Sequence, residues 1–145
     1  MNNKILISEY KVEKFYFSGE SLYSEEIVDT DSTSSGIKIV NVWGSWCAPC
    51  IKNLPKLVRL KKAHETIEFI GICLDRNKEV AVEAAEKVGM TWKNIFLNAK
   101  EKQKIEDLNI LAYPTYIVLK NNEVIDRFNK VEDVEEALIN LKVVD

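Results

Sequence analysis

A single histidine and three cysteines leave this 145-residue chain poorly supplied with metal ligands. Cys47 and Cys50 form one Cys-x-x-Cys pair. A four-ligand zinc site needs a second pair, and only Cys73 and His64 remain to supply it. Three cysteines are also too few for a disulfide-stapled scaffold, and they do not fix the redox compartment. No stretch approaches the roughly 18 consecutive apolar residues of a membrane span, and Met1 to Tyr10 lacks the apolar centre and cleavage site of a secretory signal. As written, the chain reads as soluble. A basic surplus is missing too: 20 Lys and Arg against 23 Asp and Glu give a net charge of −3, which argues against nucleic acid as a partner. There is no internal repeat and no low-complexity tract beyond a short serine-threonine stretch. With 46% hydrophobic residues, 145 residues suit one domain: a core over about 37–143, preceded by a hairpin and loop over 1–36.

What the chain does carry is Trp46-Cys47-Ala48-Pro49-Cys50, directly after the apolar run Ile37 to Trp43. Two cysteines at this spacing, delivered by a strand and opening a helix, form a redox couple. With Cys47 as N-cap, the unpaired N–H groups of the first turn and the positive end of the helix dipole point at its sulfur and favour thiolate over thiol. Lowering a cysteine pKa from about 8.5 to about 7 requires roughly 2 kcal/mol, within reach of a helix terminus plus hydrogen bonds. Pro49 fits the first turn, where a missing N–H costs little. Cys50 then lies within disulfide reach one turn deeper, placed to resolve a mixed disulfide rather than start one.

Along the chain, Lys11 to Phe17 alternates as an early strand, Ser18-Gly19-Glu20 reads as a turn, and Asp29 to Gly36 reads as an exposed loop. Ile37 to Trp43 is apolar at most positions, as in a strand covered on both faces. Ile51, Leu54, Leu57, Val58 and Leu60 recur at helical spacing, and Lys52, Lys56, Arg59, Lys61 and Lys62 fill the other face; Pro55 should kink this helix. A strand over Ile67 to Leu74 ends at Asp75, and a helix over Glu79 to Val88 is stopped by Gly89. A short helix over Glu101 to Leu108, a strand over Thr115 to Leu119, a turn at Asn121-Asn122, a strand over Val124 to Phe128 and a helix over Val131 to Leu141 complete the chain. This order gives an α/β fold, a central mixed β-sheet with helices on both faces.

The Trp46 to Cys50 motif, Pro55 five positions after the second cysteine, and Tyr113-Pro114-Thr115 before a strand together resemble the thioredoxin superfamily. Val40 to Cys47 and Phe69 to Asp75 look most like its TlpA/ResA-type thiol-disulfide oxidoreductases. The resemblance covers about Ile37 to Phe128. It implies a thioredoxin-like fold in which Cys47 is the attacking thiol, Cys50 the resolving thiol, and the Tyr113–Pro114 bond cis. It places Trp46, Ala48, Pro49, Tyr113 and Pro114 on the partner-binding surface, where the Tyr113 backbone pairs with an extended substrate segment. Asn41 stands where thioredoxin itself carries a buried aspartate thought to relay protons; an amide does not titrate, so Asp75 becomes the substitute acceptor for the Cys50 proton, through water. The branch often has a glutamate where Asn53 stands here. The expected activity exchanges the Cys47–Cys50 couple with partner protein thiols and disulfides, without a further cofactor or metal, and is renewed by an upstream electron donor. The resemblance also implies a monomer in an extracytoplasmic setting, periplasmic or membrane-anchored, with a signal or tether removed.

Plainer readings stand beside these. Cys73, inside Ile70 to Leu74, reads as a small core residue, and His64 as a partner of the carbonyl end of its helix. Trp46 either covers the thiol and shapes the partner surface or packs beside the core; Trp43 and Trp92 read as packing. The lysine-rich face reads as solvated, and Asp75 alternatively caps the helix that follows. The rival functions are a thiol-based metal chaperone using Cys47, Cys50 and His64, and a non-catalytic thioredoxin-fold binding module with a permanent disulfide. A thiol peroxidase lacks its lone cysteine in a Pro/Thr-rich loop.

Overall fold

The computed structural model describes residues 12–31 and 36–144, with side chains through residue 141. Along them run β1 (Ser18–Ser21), β2 (Ile27–Asp29), β3 (Ile37–Trp43), α1 (Ala48–Ala63), β4 (Glu68–Asp75), α2 (Lys78–Val88) and β5 (Asn94–Asn98). A 3-10 turn (Ala99–Glu101) leads into α3 (Lys102–Glu106), followed by β6 (Thr115–Lys120), β7 (Glu123–Phe128) and α4 (Val131–Val144). The strands form one mixed sheet in the order β2-β1-β5-β4-β3-β6-β7. β3, β4 and β5 run parallel, while β6 and β7 on one side and β1 and β2 on the other join antiparallel.

Six of the seven β3 residues and seven of the eight in β4 are buried, because both faces of these central strands are covered. Alternate side chains feed two cores. Ile39, Trp43, Phe69 and Cys73 pack with Leu54 and Leu57 of α1, Ala85 of α2, and Val134 and Leu138 of α4. On the opposite face Val40, Val42, Ile70 and Ile72 pack with Ile105 of α3, Ile110 and Phe15. Among the described residues, helices therefore cover both faces, as the element order implied, but unequally: three against one.

The helix over Glu79 to Val88 is present as α2, capped by Asn77, whose Oδ1 accepts the Val80 N–H at 3.0 Å, and closed by Gly89 at φ +77°. The Asn121-Asn122 turn takes φ +54° and +63°, the left-handed pair that a two-residue hairpin needs. α1 runs unbroken through Pro55.

Three expectations need correction. Ser18-Gly19-Glu20 is not a turn: it is most of β1, whose backbone pairs with β2 and β5. The early strand expected over Lys11 to Phe17 reduces, among the described residues, to an isolated bridge from Lys14 to Glu123; Lys11 lies outside them. Within Asp29 to Gly36, Asp29 closes β2 and Thr30 is fully buried, its Oγ1 accepting the Phe17 N–H at 2.9 Å; 32–35 lie outside the described residues. The element order also omitted β5, the strand that links the β1–β2 hairpin to the central sheet.

Candidate active site

β3 ends at Trp43, and the chain crosses Gly44-Ser45-Trp46 before α1 begins. Cys47 is the N-cap of that helix, with φ −94° and ψ 104°; Ala48 and Pro49 open the first turn. The Cys50 N–H donates to Cys47 Sγ at 3.2 Å, and the Ile51 N–H donates to the Cys47 carbonyl at 3.1 Å as the first helical bond. No acidic residue stands in the first turn to oppose a thiolate at Cys47. Cys47 and Cys50 are joined as a disulfide across a Cα–Cα distance of 5.2 Å. Both are largely covered, Cys47 at 5% exposure and Cys50, one turn deeper, at 1%.

The loop before Cys47 is clasped to the end of β4. Asp75, the one buried carboxylate among the described residues, accepts the Ser45 N–H on Oδ2 at 2.7 Å and the Arg76 N–H on Oδ1 at 2.9 Å. Trp46 Nε1 donates to the Leu74 carbonyl at 2.7 Å, which lays the indole back over Gly44. A Cβ on Gly44 would stand 2.5 Å from that carbonyl and collide with the indole nitrogen, so only glycine fits there. Among the described residues no hydrogen bond joins Asp75 to Cys50; its neighbour on that face is Cys73, whose Sγ donates to Oδ2 at 4.0 Å. Burial, and next the Asp75 carboxylate, push the Cys73 thiol well above its ordinary range.

On the loop before β6, the Tyr113–Pro114 bond is cis, with Tyr113 half-buried and Pro114 buried. The rings of Trp46 and Tyr113 meet edge to face at 5.1 Å between centroids. The loop is held from β7's exit: Asn129 Nδ2 donates to the Pro114 carbonyl at 2.9 Å and to Thr115 Oγ1 at 3.2 Å, and Thr115 Oγ1 donates to the Ala112 carbonyl at 2.6 Å. Trp46 stays 51% exposed, and Ala48 and Pro49 are exposed. Trp46, Ala48 and Pro49 thus flank Cys47 in the chain, and the ring contact joins Trp46 to the Tyr113-Pro114 loop.

Other residues fall outside the site. Trp43 and Trp92 are core: Trp43 Nε1 donates to Asn94 Oδ1 at 2.8 Å, and Trp92 Nε1 donates to Asn41 Oδ1 at 3.1 Å. Lys52, Lys56, Arg59 and Lys62 are exposed, as a solvated face requires. His64 caps the far end of α1, about 20 Å along the helix from Cys50 at about 1.5 Å per residue. Sequence reasoning missed Gly44, Ser45 and Asn129, because their roles depend on which loops meet in space.

A strand-delivered, helix-capping disulfide, with a cis-proline loop in ring contact with the preceding Trp46, defines a thiol-disulfide oxidoreductase. The family model described as thioredoxin-like matches residues 36–125, and the chain belongs to that family. It is 26% identical over 119 residues to the thiol-disulfide oxidoreductase ResA of Geobacillus kaustophilus, covering 78% of this chain and 67% of that protein. Among solved structures, a thiol-disulfide oxidoreductase from Bacteroides fragilis superposes with TM-score 0.78 at 24% identity, covering 89% of this chain and 98% of that one. A secreted thiol-disulfide isomerase from Corynebacterium glutamicum gives TM-score 0.72 at 21% identity, covering 87% and 81%.

Proposed function

We propose that this protein reduces disulfides of exported polypeptides. The Cys47 thiolate attacks one sulfur of a partner disulfide; a Cys47–partner bond forms, and the partner's other sulfur leaves as a thiolate. Cys50 loses its proton and attacks Cys47, which closes the Cys47–Cys50 bond and releases the second partner thiolate. The partner gains two electrons, and an upstream thiol donor returns the protein to its dithiol form. Asp75 is the acceptor for the Cys50 proton, through a water, since it is the one buried carboxylate among the described residues and closes β4, the strand beside the one that delivers the cysteines. Trp46, Ala48, Pro49, Tyr113 and Pro114 receive the partner.

The observation that carries this reading is the Cys50 N–H bonded to Cys47 Sγ at the start of α1, which stabilises negative charge on the first sulfur rather than the second. Direction depends on that stabilisation, because dithiol proteins span about 150 mV, or about 7 kcal/mol. The likeness to ResA and to a secreted isomerase supports a reductant in an extracytoplasmic setting. No helix among the described residues is long and apolar enough to cross a membrane. A metal carrier built on Cys47, Cys50 and His64 is disfavoured by the length of α1 that separates the histidine from the sulfurs.

Insulin reduction coupled to glutathione tests the reading. Wild type turns over, and Cys47→Ser falls to the uncatalysed rate; equal rates for the two proteins would remove the catalytic role.

A further inference from the structure

The half-exposed ring of Trp46 divides two hollows, and one side chain, Arg76, borders both. The first, of about 530 Å³, has Leu74 and Ala99 as its apolar floor and Lys102 as its second cation. The second, of about 310 Å³, runs along α2 past Val80 and Ala84 to Glu83 and Lys87. Arg76 is exposed, and among the described residues its guanidinium has no hydrogen bond or ion pair; only its backbone N–H is engaged, by Asp75. Among the described residues Lys102 has one partner, Glu106 at 3.8 Å, with the lysine exposed and the glutamate partly so, a pairing too weak to neutralise the lysine toward a ligand. The first hollow therefore couples an apolar floor to two available cations, and it is bordered by Trp46, the residue that precedes Cys47 in the chain, on a molecule whose net charge is −3.

The geometry points to Arg76, aided by Lys102, as the specificity determinant for partner polypeptides that carry Asp or Glu beside the cysteine to be reduced. A carboxylate there meets the planar fork of Arg76 while a neighbouring apolar residue lies against Trp46 and Leu74, and a lysine in the same place is repelled. This assignment rests on the oxidoreductase reading and names its substrate class.

The test uses two symmetric disulfide-linked peptide dimers, identical except that two aspartates or two lysines flank the cysteine. Each is mixed at low ionic strength with pre-reduced full-length protein. In one turnover the protein dithiol becomes the Cys47–Cys50 disulfide, and the dimer takes up the two electrons and two protons as two free thiols. The quantity read is the rate with the aspartate dimer over the rate with the lysine dimer. It is expected to fall at least about fivefold in Arg76→Glu, and less in Arg76→Gln. Lys62→Glu, the same charge change at the far end of α1, should leave it as in wild type. An unchanged ratio in Arg76→Glu, or an equal fall in Lys62→Glu, overturns the assignment and leaves disulfide exchange standing. Failure of wild type to reduce either dimer or insulin overturns the oxidoreductase reading itself.

Discussion

Burial first, and the Asp75 carboxylate second, hold the Cys73 thiol well above its ordinary range, whereas the Cys47 sulfur accepts the Cys50 N–H at the start of α1. The same atom type is thus held protonated on β4, while at the start of α1 it stands where a helix terminus favours the thiolate. For Cys73 the consequence has a definite sign. Because the folded state holds the proton more tightly than the unfolded chain, this contribution is intact below the unfolded value. It is lost as pH rises toward the folded one, at up to about 1.4 kcal/mol per pH unit. In urea unfolding of the oxidised protein between pH 8 and pH 10, Cys73→Ala is expected to lose less stability with rising pH than wild type, whatever its cavity costs at pH 8. Equal slopes would show that the thiol does not titrate in this window. At Gly44 the issue is space. Gly44→Ala sets a methyl group against the Leu74 carbonyl and the Trp46 indole, and is expected to cost about 1–3 kcal/mol and to shift the tryptophan emission as the indole is displaced.

At the scale of elements, the site is made where three of them end: β3 delivers the motif, β4 clasps the loop before it, and the turn into β6 supplies the opposing wall. Asn129 ties that wall to the exit of β7 through the Pro114 carbonyl and Thr115. Asn129→Ala is expected to lower stability by about 1 kcal/mol in urea unfolding and to raise KM for a protein disulfide more than it lowers kcat. This level also separates what the sequence discloses from what it hides. β3, β4 and β6 are legible because a strand covered on both faces is apolar at most of its positions. β5 escapes notice because only Ile95-Phe96-Leu97 lie between two asparagines, too few apolar residues for periodicity to register. β1 is written in Ser, Gly and Glu, residues of turns, and is a strand only because β5 and β2 offer it partners on both edges. Within the site, Cys47, Cys50 and the Tyr113-Pro114 pair are legible because their chemistry resides in local spacing. The Ser45–Asp75 and Asn129–Pro114 bonds are not, since each joins residues distant in sequence.

For the molecule as a whole, a net charge of −3 and two buried cores describe a scaffold that leaves Trp46 half exposed beside Tyr113 and Arg76. As a reductant, the protein should have a potential for the 47/50 couple near −270 mV in a dithiothreitol or glutathione redox titration; a value near about −120 mV would reverse the direction of exchange. Both outcomes turn on how strongly the fold stabilises negative charge on one sulfur. The most direct measurement is therefore the rate of iodoacetamide alkylation of the fully reduced protein against pH, with the modified residue identified by mass spectrometry. The account predicts that Cys47 reacts first, with a midpoint more than one unit below the free-cysteine value of about 8.5, and that Cys47→Ser removes the fast phase. A midpoint at or above about 8.5, or a faster reaction at Cys50, would contradict it.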